Sequence, residues 1–310
     1  MKKIWGVGGM LIATVLWGVA FSAQSRGMAY VDPMLFVMLR SLTGVAALFL
    51  VIAGVDLYRK RGFTFRIWKG DPGAERVLLS GGSVCGIILA AASILQQYGL
   101  KYVSAGKSGF LTALYIVIVP VLGLFLNRRT NPVLWLAVML AMSGSYLLCG
   151  GVDQVGAGEY FVIGCAFVYS LHILAVDHYA AKCDCIRLSC IQFSVVTLFS
   201  ALASLLMGDP WQLNKILDSL PFWIFCGVGS SAIAFTLQIA AQKYLHPVTA
   251  SLLMSLESVF AVLGGWLFLQ ERLSARELAG CGIIFLGVIL AQLPVAEREK
   301  KISGCEQESC

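Results

Sequence analysis

Charges, glycines and prolines divide the chain into ten long apolar runs, over approximately 4–24, 34–55, 77–97, 104–126, 132–150, 156–176, 186–207, 220–241, 247–270 and 274–294. The runs are continuous and do not alternate, which argues for helices and against membrane strands. About 20 apolar residues suffice for a helix to span the hydrocarbon of a bilayer, so each run predicts one transmembrane helix, numbered 1 to 10. The first run is long, evenly apolar and without an Ala-x-Ala cleavage site, so it is expected to stay in the membrane.

One stretch of this pattern occurs twice. Leu95 to Leu126 and Leu237 to Phe268 match without a gap at a separation of 142 residues, with Gln96/Gln238, Lys101/Lys243, Tyr102/Tyr244, Leu114/Leu256 and Gly123/Gly265 in register. Each copy is an apolar segment, a Lys-Tyr hinge and a second apolar segment. Helices 3 and 4 therefore correspond to helices 8 and 9, five spans later, and an odd offset means that the second copy enters the membrane upside down. The predicted fold class is an all-α polytopic membrane protein, ten transmembrane helices arranged as a 5+5 inverted repeat. Such repeats belong to transporters whose halves rock about a site near the bilayer midplane.

Composition agrees with this pattern. Hydrophobic residues make up 58% of the 310 positions and charged ones 13%, with a mean hydropathy of +0.82, which leaves too little polar surface for a water-soluble fold. The net charge of +6 is a topology signal. With the N-terminus inside, the cytoplasmic segments hold sixteen of the 23 Lys and Arg residues and the outer loops six. That asymmetry predicts cytoplasmic termini at both ends and needs no nucleic-acid partner. Five of the ten cysteines, Cys85, Cys149, Cys165, Cys226 and Cys281, are scattered in apolar helices, where they act as small hydrophobes. Cys183, Cys185 and Cys190, with Cys305 and Cys310, fall on the expected cytoplasmic side, where thiols stay reduced. No spacing completes a four-ligand metal site, and neither a metal nor a cofactor is implied.

Candidate chemistry lies where polarity interrupts the helices. Arg40 in helix 2 and Glu257 in helix 9 are the charges nearest the middle of apolar runs, each costing ~2.5–3.5 kcal/mol on insertion scales. Glu257 is the candidate for proton coupling or for binding a cationic group, against a purely structural hydrogen-bonding role. For Arg40, outside the repeated motif, a packing role is expected. Candidate substrate-binding residues are Trp17, Gln96, Tyr115, Tyr169, His172 and Gln238. Trp17 and Tyr115 offer aromatic surface. Tyr169 and His172 share a helix face three residues apart. Gln96 and Gln238, equivalent in the repeat, are placed to face one another across a central cavity, or else only to bridge helices. Gly82/Gly86, Ala137/Ala141, Ser200/Ser204 and Gly227/Ser231 have the small-xxx-small spacing of close helix packing. The loop from Asp56 to Arg76, with Phe63, Phe65 and Trp68 among basic residues, is expected against the headgroups. No catalytic constellation, phosphate-binding glycine loop or nucleotide domain is present, so an enzyme or an ATP-driven pump is not expected.

These residues resemble the drug/metabolite transporter superfamily, EamA type. The resemblance rests on Trp17-Gly18-x-x-Phe21, on Ala105 to Pro120, on Lys243-Tyr244-x-x-Pro247, on Leu256-Glu257-Ser258-Val259-Phe260 followed by Leu269-Gln270-Glu271-Arg272-Leu273, and on Gly280 to Gly287. It implies two EamA-like halves, 1–150 (helices 1–5) and 156–293 (helices 6–10), followed by a polar cytoplasmic tail over 297–310. It further implies an inner-membrane carrier, usually an exporter of amino acids, other metabolites or drugs, with a cavity lined by helices 1, 3, 4, 6, 8 and 9. The family usually has Glu-Pro where this chain has Glu257-Ser258, so a smaller bend is expected in helix 9 than a proline would give. Glu271, before Arg272 and Arg276, is expected to serve a turn. The expected partners are a small-molecule substrate and the lipid bilayer, and self-association as a homo-oligomer is left open. The function expected is secondary-active export of a small metabolite by alternating access; the alternative is a proton-coupled multidrug exporter of lipophilic cations.

Overall fold

The chain is described here by a computed structural model covering residues 2–58, 72–125, 132–148, 156–269 and 274–292. Every regular element among these residues is helical. Seven of the ten apolar runs form one continuous helix each: α1 (Lys2–Gly27), α2 (Pro33–Tyr58), α3 (Pro72–Leu100), α6 (Pro132–Leu148), α7 (Ala157–Ala180), α8 (Cys185–Met207) and α14 (Ala275–Gln292). The other three are interrupted. Helix 4 is split into α4 (Ala105–Thr112) and α5 (Tyr115–Phe125), and helix 9 into α12 (Pro247–Met254) and α13 (Leu256–Leu269). Helix 8 runs from α10 (Leu220–Phe225) through a π-helical stretch, Cys226–Ala234, into α11 (Phe235–Gln242). A short helix, α9 (Leu213–Asp218), precedes it. Eight helical runs are long and apolar enough to cross a membrane, and Pro132–Leu147 is a shorter apolar one. The basic loop at 59–71, Glu271, Arg272, Cys149, Cys305, Cys310 and the tail at 297–310 lie outside the described residues.

The halves are interleaved. The most extensive packing is between α6 and α14, α3 and α7, α2 and α8, α3 and α8, and α1 and α13, all pairs that cross from one half to the other. Exchanging each helix for its counterpart five spans away turns each of these pairs into a contact that the bundle also makes. The contact of α3 with α7 becomes that of helix 8 with α1, and the contact of α3 with α8 becomes that of helix 8 with α2. Both are present. The pairs α2–α8 and α6–α14 map onto themselves and so straddle the pseudo-two-fold axis that an inverted repeat requires.

Close approach is made by small residues, as their spacing leads one to expect. A Cβ on Gly18 would lie 2.3 Å from Phe260 Cβ and 2.6 Å from its backbone carbonyl carbon, so α1 sits directly on α13. Gly86 is pressed against the Gln192 carbonyl and Gly227 against the Arg40 carbonyl, each with a hypothetical Cβ under 3.0 Å away. Gly287 faces Ala137 and Ala141 in the same way.

The two broken helices break at equivalent places. Ala113 and Ser255, 142 residues apart, are the C-caps of α4 and α12, and Ser104 and His246, also 142 apart, are their N-caps. The causes differ. In helix 4, Leu114, Ile116 and Val117 turn to tighter i→i−3 bonding, and Pro120 withholds the amide that would reach Ile116. Helix 9 has no proline there. Instead Ser251, Ser255 and Ser258 each donate a hydroxyl to the carbonyl three residues back, at 2.9, 2.6 and 2.7 Å, competing with the backbone ladder. Serine back-bonding thus accompanies the interruption of helix 9 in the absence of a proline.

Polar ties close the ends of the bundle. Arg187 holds Asp56 with Nη2 at 2.8 and 2.7 Å from its two carboxylate oxygens, and Asp184 caps α8 beside it. Near them Lys243 donates to the Cys183 carbonyl at 3.0 Å. Burial pushes the Cys183 thiol above its ordinary pKa, which keeps it protonated and unreactive. At the other end Lys107 pairs with Glu159 at 2.6 Å.

Candidate functional site

The breaks in helices 4 and 9 face a narrow cavity of about 30 Å³ within the bundle, room for a water molecule or two. Trp17, Phe21 and Gln24 come from α1, Gln96 from α3, and Thr112 and Tyr115 from either side of the helix 4 break. Met254 and Glu257 stand at the corresponding places about the helix 9 break, with Tyr169 from α7 and Arg40 from α2. Helix 8 adds Ser230 from its π-helical stretch, together with Phe235 and Gln238. Insertions of this kind recur where a helix must present a side chain out of its regular order.

The lining repeats the symmetry of the chain. Gln96/Gln238, Thr112/Met254 and Tyr115/Glu257 are each 142 residues apart. Trp17/Tyr169 are 152 apart, the same separation as that between the starts of α2 and α8. At the centre, the Tyr115 hydroxyl donates to Glu257 Oε2 at 3.4 Å, so two equivalent positions bond each other across the axis. Gln96 accepts a bond from the Tyr169 hydroxyl at 3.3 Å. Gln238 donates to Gln242 at 2.9 Å, which in turn donates to the Ile173 carbonyl at 2.9 Å. Trp17 packs edge-on against Phe235 with ring centroids 4.9 Å apart.

Among the described residues, five lining side chains carry a buried polar atom with no hydrogen-bond partner: Trp17 Nε1, Gln24 Oε1, Arg40 Nε, Thr112 Oγ1 and Gln238 Oε1. Buried polar atoms are nearly always paired in native proteins. Twelve more such atoms lie elsewhere among the described residues, so what sets these five apart is their place on one cavity wall, where an incoming polar group can reach them.

Of the seven residues singled out from the sequence, Trp17, Gln96, Tyr115, Tyr169, Gln238 and Glu257 line this cavity. His172 does not. It is fully buried, bonded to Gln192 at 3.2 Å and packed edge-on against Tyr169 and Phe235, one layer away from the cavity wall. Arg40, expected to serve packing, lines the cavity and adds helix 2 to the six helices anticipated. Thr112 and Met254 were legible in principle, since they occupy matching repeat positions one turn before Tyr115 and Glu257. Gln24, Ser230 and Phe235 carry no such signal. They depend on how α1 and the π-helical stretch are rotated.

An inverted repeat of ten membrane helices around a polar midsection, with broken helices at its centre, defines a multi-pass membrane transporter. The chain belongs to the EamA-like transporter family, whose pattern it matches over residues 4–150 and again over 156–293, and so to the drug/metabolite transporter superfamily. It is 24% identical over 303 residues to an uncharacterized transporter of Archaeoglobus fulgidus, covering 95% of this chain and 88% of that one. It is also 24% identical, over 184 residues, to the threonine/homoserine exporter RhtA of Escherichia coli (strain K12), covering 57% of this chain and 60% of RhtA. A solved crystal structure superposes with a TM-score of 0.75 at 19% identity, covering 95% of this chain and 98% of the other, a likeness of fold.

Proposed function

We propose that the protein is a secondary-active transporter of the inner membrane that exports a small metabolite, such as an amino acid, by alternating access. The observation that carries this reading is the central cavity, formed where two repeat-related helices break and joined across the axis by Tyr115 and Glu257. A bundle whose halves meet at such a point can open to either face by rocking one half against the other. The excess of Lys and Arg in the segments assigned to the cytoplasm supports placing both termini inside. The likeness to an exporter of threonine and homoserine supports small polar solutes and the outward direction. In this reading Glu257 takes up and releases the coupling proton, and Trp17, Gln96, Tyr115, Tyr169 and Gln238 contact the substrate.

The aromatic walls around Glu257 also suit a lipophilic cation, which keeps a proton-coupled multidrug exporter as the second reading. An untargeted comparison of medium and cytosol between cells lacking the protein and cells overproducing it separates the two, with Glu257→Gln as control. Defined metabolites accumulating outside only with the active protein support export. Unchanged metabolites together with raised tolerance to cationic dyes support the multidrug reading, and no change in either refutes transport.

A further inference from the structure

We propose that Arg40 is the anion-binding element of the cavity and that the transported compound is a zwitterion, its carboxylate received by Arg40 and its protonated amine by Glu257. This rests on the transporter reading and narrows its substrate class. Arg40 is 3% exposed, and its Nε has no hydrogen-bond partner in the protein. Among the described residues its guanidinium forms no ion pair and no hydrogen bond, although the side chain faces the cavity that Glu257 also lines. A guanidinium has no neutral form available to escape the cost of burial. Its planar fork is suited to bind a carboxylate through two parallel hydrogen bonds.

The repeat explains why Arg40 is left without a partner. Arg40 and Gln192 stand 152 residues apart on α2 and α8, whose starts are also 152 apart, and a glycine presses on the carbonyl of each. In the second half Gln192 is engaged by His172. The position equivalent to His172 in the first half is Ala20, which carries no polar group. The same site in the fold therefore has one internal bond in the second half, with Gln192 Nε2 and His172 Nδ1 still unpaired, and none in the first.

Of the remaining unpaired lining groups, Trp17 Nε1 is a further donor, Thr112 Oγ1 can donate or accept, and Gln24 Oε1 and Gln238 Oε1 are acceptors, while the hydrogen bond to Glu257 among the described residues is the 3.4 Å one from Tyr115. Acceptors and a carboxylate suit an ammonium. Among the described residues Arg40 is the one Lys or Arg in the lining, too little positive charge for a phosphate dianion beside Glu257. An unpaired guanidinium would likewise repel a purely cationic compound.

The test uses whole cells that lack the protein or produce the full chain as wild type, Arg40→Gln or Arg40→Lys at matched membrane levels. Efflux is followed for L-threonine, L-homoserine and the other common amino acids, each beside its amide and its decarboxylated amine, and for every compound found by untargeted profiling of the medium. The expected result is that each compound whose efflux depends on the wild type carries a free carboxylate. The acid should be preferred over its amide by ~10-fold or more. Arg40→Gln removes that preference, and Arg40→Lys keeps part of it at a raised KM. A residue that only supports the fold would lower efflux of acid and amide together. Efflux of amides, amines or cationic dyes by the wild type as fast as of acids overturns the inference, as does an unchanged preference in Arg40→Gln. If Arg40→Gln fails to reach the membrane, the acid and amide rates of wild type and Arg40→Lys decide. No protein-dependent efflux of any compound overturns the transporter reading and this inference with it, an outcome distinct from transport without carboxylate preference.

Discussion

Helices 4 and 9 are built on one plan and carry opposite chemistry. Each starts at a capped hinge, runs eight residues, breaks at the same repeat position and continues as a second helix. Yet the first is interrupted ahead of Pro120 and the second among three back-bonding serine hydroxyls. Just past the break the first presents a phenol and the second a carboxylate, and the two meet. The comparison teaches that duplication preserved the backbone device, an interrupted helix at the centre of the bundle, while the side chains diverged into donor and acceptor. A site with two identical faces would bind symmetric ligands. This one has polarity.

The sharpest way to break the comparison is to make its centre neutral. Glu257→Gln is expected to reduce efflux to that of cells without the protein and to abolish its dependence on the proton gradient, with insertion unchanged, as read by efflux assays across external pH. Exchanging the pair, Tyr115→Glu with Glu257→Tyr, should restore part of the activity that either single change removes, if place near the axis matters more than which half supplies the acid. A smaller effect tests how each broken helix is held. Gly18→Val forces α1 off the Phe260 backbone and should lower stability by ~1–3 kcal/mol, whereas Ser170→Ala at the equivalent position of α7, which loses a bond to the Ala166 carbonyl, should cost ~0.5–1.5 kcal/mol. Thermal unfolding in detergent distinguishes them. Ser255→Ala with Ser258→Ala removes the back-bonding that interrupts helix 9, and should raise the midpoint slightly while slowing turnover several-fold, by roughly 1 kcal/mol on the rate-limiting step. The mildest change is Tyr115→Phe. It deletes a long hydrogen bond and should reduce efflux about two-fold, near the low end of what one bond contributes.

Much of the scaffold was legible before any coordinates. The ten spans, their order and the repeat follow from hydropathy and from matched residues such as Gln96/Gln238, and the same register brings Tyr115 opposite Glu257. The π-helical stretch was not legible, because Cys226–Ala234 has the composition of an ordinary small-residue helix and its counterpart at 84–92 is a regular α-helix. Nor was the role of Arg40, whose only mark in the sequence was its expense.

The sequence by itself determined that this protein lives in a bilayer, that its halves are duplicated and inverted, and that a carboxylate lies near the middle of an apolar run. Each of these depends on properties counted along the chain: run length, charge and spacing. Only the tertiary structure decided that His172 is spent on Gln192 while Arg40 faces the cavity, and that helix 9 is interrupted among serines in the absence of a proline. Which polar groups find partners depends on the rotation and register of helices far apart in sequence, and these are settled by packing against one another.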